Sequence, residues 1–111
     1  MKTIIAGGRD FQDMAALRTA VAACGWTITE VVSGGARGAD AIGELYAQES
    51  GLPVKRFNPN WASFGKMAGP VRNRQMAQHA QALIALPGGR GTANMIKQAR
   101  EFGLKIFIQQ P

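Results

Sequence analysis

The chain has 111 residues, 46% of them hydrophobic and 18% charged, and its 13 basic side chains against 7 acidic ones leave a formal net charge of +6. That length suits one globular domain over residues 1–111, while a single cysteine (Cys24) and a single histidine (His79) exclude an internal disulfide and any familiar zinc pattern. The apolar run Thr3–Ala6 is too short for a signal-peptide core and no stretch approaches the length of a membrane span, so the sequence reads as that of a cytoplasmic protein with no membrane partner.

Strand-like and helix-like segments alternate from end to end. Lys2–Ala6 is a compact apolar run and the first predicted strand. Asp13–Gly25 carries Met14, Leu17, Val21 and Cys24 at spacings of three and four, which predicts an amphipathic helix closed by Gly25. Thr27–Val32 is β-branched and predicts the second strand; Ala36–Ser50 repeats at helical spacing and stops at Gly51. Pro53–Phe57 gives a short third strand.

Periodicity then fails over Asn58–Ala68, a stretch rich in turn formers that still contains Trp61 and Phe64. It reads as an irregular loop whose aromatics either pin it to the body or offer stacking platforms. Pro70–Ala80 is helical, with Pro70 suited to the first turn and His79 placed to meet the dipole at the other end. Gln81–Leu86 is the fourth strand, Thr92–Phe102 the last helix and Leu104–Ile108 the fifth strand.

This alternation implies an α/β fold, a Rossmann-like doubly wound parallel sheet of five strands in the order 3-2-1-4-5 with helices on both faces. Three glycine-rich turns, Gly7–Phe11, Ser33–Asp40 and Pro87–Thr92, would then leave the carboxyl edge of that sheet together. Strands one and four would flank the switch point at which ligands bind in open α/β sheets.

Each turn carries an arginine, and five of the eight arginines (Arg9, Arg37, Arg72, Arg74, Arg90) lie in or beside these turns or in the RNR stretch 72–74. Glycine lets a backbone approach an anion, and the helix that follows presents free N–H groups and a positive dipole end. Together these features point to a site for a phosphorylated ligand.

In the first turn, Gly8 and Arg9 would hold phosphate and Asp10 a sugar hydroxyl or base amino group, unless Arg9 and Asp10 only satisfy each other. In the second, Ser33 reads as a helix cap, Gly34, Gly35 and Gly38 as free backbone, Arg37 as a counter-charge and Asp40 as a first-turn acid that either reads the ligand or suits the dipole. In the third, Pro87 ends a strand, Gly88, Gly89, Arg90 and Gly91 form the cradle and Thr92 adds a hydroxyl. Neither a Walker lysine nor the dinucleotide spacing is present there. Arg72 and Arg74 diverge on a helix, and Arg72 is the one expected to face the site, beside Asn73.

The motifs SGGARGAD, RNRQM and PGGRGT, in this order on this plan, resemble the SLOG superfamily of Rossmann-like nucleotide-binding domains, and its compact YspA-like branch above all. The resemblance runs from GGRDF to the last helix. It implies a nucleotide-type ligand that is sensed or sequestered, with no further cofactor, and a homo-oligomer paired through helices. Two related groups share parts of the pattern. The LOG phosphoribohydrolases carry a PGGxGTxxE motif and a catalytic arginine, which falls on Arg72 here, but their glutamate falls on Met95. A thioether is neither base nor nucleophile, so Asp10 and Asp40 are the only carboxylates in these turns left for catalysis. The DprA/Smf DNA-processing proteins share an SGxARGID-like turn and an RNR stretch, which implies single-stranded nucleic acid as the alternative partner.

Overall fold

The computed structural model describes residues 1–111. Five parallel strands, β1 (Lys2–Ala6), β2 (Glu30–Ser33), β3 (Val54–Arg56), β4 (Ala82–Ala85) and β5 (Lys105–Ile108), form one sheet in the order β3-β2-β1-β4-β5. The Rossmann-like order expected from the alternation is therefore the observed one. The central strands are apolar on both sides, as a sheet covered on both faces requires. Ile4, Val32, Leu83 and Ala85 pack with Met76, Ala77, Met95 and Ala99 on one face. Ile5, Val31 and Ile84 pack with Leu17, Ala20, Ala39 and Ala47 on the other. Successive residues of one strand thus feed two cores, one under α4 (Ala68–His79) and α5 (Arg90–Glu101), the other under α1 (Met14–Ala23) and α2 (Ala39–Ser50). No helix is long and apolar enough to cross a membrane.

Element ends move for local reasons. β2 starts at Glu30 rather than Thr27 because β1 offers its first partner there, Lys2 opposite Glu30. α2 starts at Ala39 rather than Ala36, since Gly38 has φ 77°, outside the helical region. Ser33 is accordingly no helix cap: it closes β2, its hydroxyl donates to Glu44 Oε2 at 2.6 Å and accepts from the Gly35 N–H at 3.1 Å. α5 begins at Arg90 rather than Thr92, with Gly89 as N-cap, so Thr92 lies inside the first turn. α4 starts at Ala68 and carries Pro70 at its third position, where an N–H would lack a helical partner in any case.

The segment read as irregular is more ordered than expected. Asn60 caps a short helix, α3 (Trp61–Phe64), by accepting from the Ser63 N–H at 3.1 Å, and a 3-10 turn over Gly65–Met67 leads into α4. Its aromatics do not anchor it, because Trp61 and Phe64 are 54% and 46% exposed. Phe57 before it and Ala68 after it make the buried contacts instead.

At the carboxyl edge the three turns lock together through backbone. The Gly8 N–H donates to Pro87 O at 2.8 Å, and the Gly8 carbonyl accepts from Ala39 N at 3.0 Å and Phe11 N at 3.2 Å. At Gly38 and Gly88 the neighbouring turn's backbone leaves no room for a Cβ. At Gly88 it would stand 2.7 Å from Gly8 N, and at Gly38 it would strike the Arg9 and Gly8 backbone.

Gly38→Ala is expected to lose about 2–4 kcal/mol in urea unfolding, from strained φ plus overlap. Gly51→Ala, at φ 69° with nothing near its Cβ, should lose only about 1–2 kcal/mol. Equal losses would show that φ alone matters and that the turns are not tightly apposed.

Candidate functional site

The locked turns frame a cleft of about 360 Å³ over the ends of β1 and β4, within the size range of small-molecule sites. Of the residues singled out in the sequence, Gly8, Arg9, Gly34, Arg37, Asp40, Arg72, Asn73, Gly89, Arg90, Gly91 and Thr92 line it. Ser33, Gly38, Pro87 and Gly88 support it from behind, through the contacts described above. Gly35 lines an adjoining, wider cavity of about 530 Å³ that shares Arg9, Gly34, Arg37 and Arg72 with the cleft. Asp10 lies outside both cavities; its carboxylate is almost fully exposed and pairs with Arg37 at 3.6 Å, a surface contact worth little.

Arg72 and Asn73 join the second turn to the third. The Arg72 guanidinium donates to Gly34 O at 2.6 Å and to Asn73 Oδ1 at 3.0 Å, while Asn73 Nδ2 donates to Gly91 O at 3.3 Å and Asn94 Oδ1 at 3.0 Å. Asn73 is buried and Arg72 half-buried. Every acceptor of this guanidinium is neutral, and no carboxylate oxygen lies within 4.0 Å of Arg9, Arg72 or Arg90. Burial holds the Arg72 pKa below its ordinary value, with the Asp40 charge pulling it up and Arg9 pushing it down. It stays a cation all the same. Arg74 points elsewhere, over the Phe102 ring at 5.4 Å.

Two carboxylates behind the second turn behave oppositely. Burial raises the Asp40 pKa, against the Ala36 N–H it accepts at 3.1 Å and the charge of Arg72, while Glu44 adds to the rise. Burial also acts upward on Glu44, but hydrogen bonds from Arg56 and Ser33 and the charge of Arg56 overcome it and hold that carboxyl below its ordinary value. Glu44 and Arg56 escaped the sequence reading because they meet Ser33 only through the fold, from α2, β3 and β2.

The α5 terminus supplies backbone donors. Gly89 caps it without a side chain, no acid lies in its first turn, and the helix's first backbone bond runs from Ala93 N to Gly89 O, so the N–H groups of Arg90, Gly91 and Thr92 precede the bonded ladder. A Cβ at Gly89 or Gly91 would meet no atom within 4 Å. These two glycines, unlike Gly38 and Gly88, border open space.

Met95 is 1% exposed, packs with Met76 and Ala99, and contributes to the cleft floor. His79 does have a partner beyond the helix dipole: its Nε2 lies 2.7 Å from Glu30 Oε2, and its ring packs against Phe57.

A parallel 3-2-1-4-5 sheet with an arginine-lined cleft at its carboxyl edge defines a Rossmann-like α/β domain. Residues 1–64 match the model of the YspA, cpYpsA-related SLOG family, and the chain belongs to that family. That match spans the first two glycine turns and α3, and ends before Arg72. The chain is also similar to the Gene 61 protein of Mycobacterium phage D29, 36% identical over 87 residues that cover 69% of this chain and 68% of that protein. No solved structure matches it.

The carboxylate pair predicts a pH signature. Glu44, depressed in the folded state, stabilises the fold above the ordinary glutamate pKa of about 4.3, and that contribution is lost as pH falls through its folded value. Asp40, raised in the folded state, works the other way, so stability declines as pH rises from about 3.9 through its folded pKa. Denaturant unfolding at a series of pH values should find Glu44→Gln less stable than wild type at pH 7, with a smaller acid loss. Asp40→Asn, which keeps an acceptor for Ala36, should be at least as stable as wild type at pH 7. Lower stability of Asp40→Asn there would contradict the raised pKa.

Proposed function

We propose that the protein binds a nucleotide or nucleotide-derived ligand at the carboxyl edge of the sheet, and senses or sequesters it. The observation that carries this reading is the half-buried Arg72, fixed by neutral oxygens alone, in the same cleft as the bare N–H groups of Arg90–Thr92. A guanidinium without a carboxylate partner retains its attraction for an anion, and its planar fork suits phosphate oxygens. Membership of the SLOG family supports a nucleotide over other anions. Phosphate would rest on Gly89–Thr92, with Arg9, Arg37 and Arg90 around it and Asp40 placed to accept from a sugar or base. A protein acting this way would work in the cytoplasm.

One observation favours a second reading. Asp40 is a buried carboxyl with a raised pKa in the cleft, a property that concentrates at catalytic groups. N-glycosidic cleavage of a nucleoside 5′-monophosphate would then break the C1′–N bond with water adding to C1′, and Asp40 would be the acid that protonates the departing base. Chromatography of AMP or CMP incubated with the protein is expected to show no free base. Base release that Asp40→Asn abolishes would replace binding with turnover.

For binding itself, a thermal-shift and calorimetry panel of nucleoside phosphates and ADP-ribose should contain a stabilising compound. At a ligand concentration 100 times Kd the gain is about 2.7 kcal/mol. Gly91→Ala should not lower the unliganded midpoint, since its Cβ meets nothing within 4 Å and alanine suits a helix better than glycine, and should remove that gain. A panel with no stabilising member, alongside salt-sensitive binding of single-stranded DNA, would replace the small ligand with nucleic acid.

A further inference from the structure

The wider cavity outside the cleft has an aromatic wall that phosphate binding does not use. Trp61 lines it together with Pro59, Arg9, Arg37 and Arg72. Trp61 is 54% exposed, so it contributes little to the core, and a large exposed aromatic beside three arginines calls for an explanation in ligand terms. From it we infer that Trp61 is the base-stacking wall of the site, and that the ligand is a nucleotide whose base leaves the cleft past Arg72 to lie against the indole. The inference rests on the nucleotide reading above and adds the part of the ligand recognised.

Three observations hold Trp61 in place for this role. Asn60 caps α3, which fixes Trp61 as its first residue. The chain leading to α3 is tied to the second glycine turn by the Phe57 N–H, which donates to Ser33 O at 2.8 Å, and to α2 by the Arg56–Glu44 ion pair. Arg9, Gly34, Arg37 and Arg72 line both cavities, so a ligand with phosphate on the α5 terminus has a continuous path to the indole. The surrounding charge selects the occupant. Three arginines disfavour a basic or purely apolar partner and suit a flat aromatic group that carries its own negative charge a short distance away. A single nucleotide is favoured over a strand because the backbone phosphate donors, the N–H groups of Arg90–Thr92, form one cluster at one end of that path.

The test compares AMP, GMP, CMP and UMP with ribose 5-phosphate, which has the phosphate and sugar without a base, by calorimetry on wild type, Trp61→Ala and Trp61→Phe. At least one monophosphate should bind wild type about 5- to 150-fold more tightly than ribose 5-phosphate, the range expected for one stacked base. Trp61→Ala should erase that advantage while leaving ribose 5-phosphate affinity and the unfolding midpoint unchanged, and Trp61→Phe should restore most of it. Nucleotide binding that Trp61→Ala does not alter would overturn the stacking wall and leave the phosphate site standing. No binding of any of the five compounds would overturn both. Loss in Trp61→Ala of affinity for a single-stranded oligonucleotide, with monophosphate binding intact, would replace the mononucleotide with a strand.

Discussion

The backbone of Gly8 is the point on which the carboxyl edge depends. It follows the central strand, donates to the turn after β4 and accepts from the first residue of α2. Each bond is worth about 1 kcal/mol net, yet leaving one unmade costs up to about 3 kcal/mol, so the three turns stand or fall as a group. The glycines therefore divide by task. Gly38 and Gly88 are small because another turn's backbone occupies the space, whereas Gly89 and Gly91 are small beside an open cleft. A glycine-rich motif can conserve room for the protein or for a ligand, and only the fold separates the two.

The fold was legible because its signals are local and repeated. The central strands are apolar on both faces, the long helices alternate with them, and parallel pairing needs crossovers of one hand, which leaves few orders to choose from. The element ends were not, since they depend on partners: β2 begins where β1 begins, and α2 waits for Gly38. The site was half legible. Its arginines and glycines converge by topology alone, and Arg72 and Arg74 diverge as their spacing on α4 implies, Arg72 into the cleft and Arg74 over Phe102. The links that hold them were invisible in the sequence. Asn73 reaches Gly91 and Asn94 on α5, Ser33 meets Glu44 and Arg56, and His79 meets Glu30 from another element. Ordinary polar residues become specific only when a fold brings them into hydrogen-bonding distance. Trp61 stood between two readings in the sequence, anchor or stacking platform, and the fold removes the first because Phe57 and Ala68 already supply the anchoring contacts.

Charge placement separates the structural part of the site from the part left for a ligand. Glu44 consumes the charge of Arg56 behind the second turn, and Glu49 pairs with Arg18 on α1 and α2. In the cleft the balance is reversed. Arg9, Arg72 and Arg90 have no ion-pair partner, and the one buried carboxyl among them is the one whose ionisation burial opposes. Gly34 stands between that carboxyl and Arg72: an added Cβ would lie against the guanidinium and 2.8 Å from Asp40 Oδ2. The two charges are thus close enough to feel each other without forming a bonded pair, so the cation is oriented by Gly34 O and Asn73 but not neutralised.

Met95 shows how the core constrains this chemistry. Its side chain is buried against Met76 and Ala99 while it also reaches the cleft floor, so one residue serves packing and site together. A carboxylate at that position would leave water for an apolar surround, at a cost of several kcal/mol unless a cation met it. The half-buried cation of the cleft is Arg72, and its guanidinium is already held by the second turn and Asn73. Moving it to serve a charge at position 95 would release the link between the second and third turns. The apolar floor and the oriented arginine are therefore one arrangement, in which the protein itself leaves the cation unneutralised.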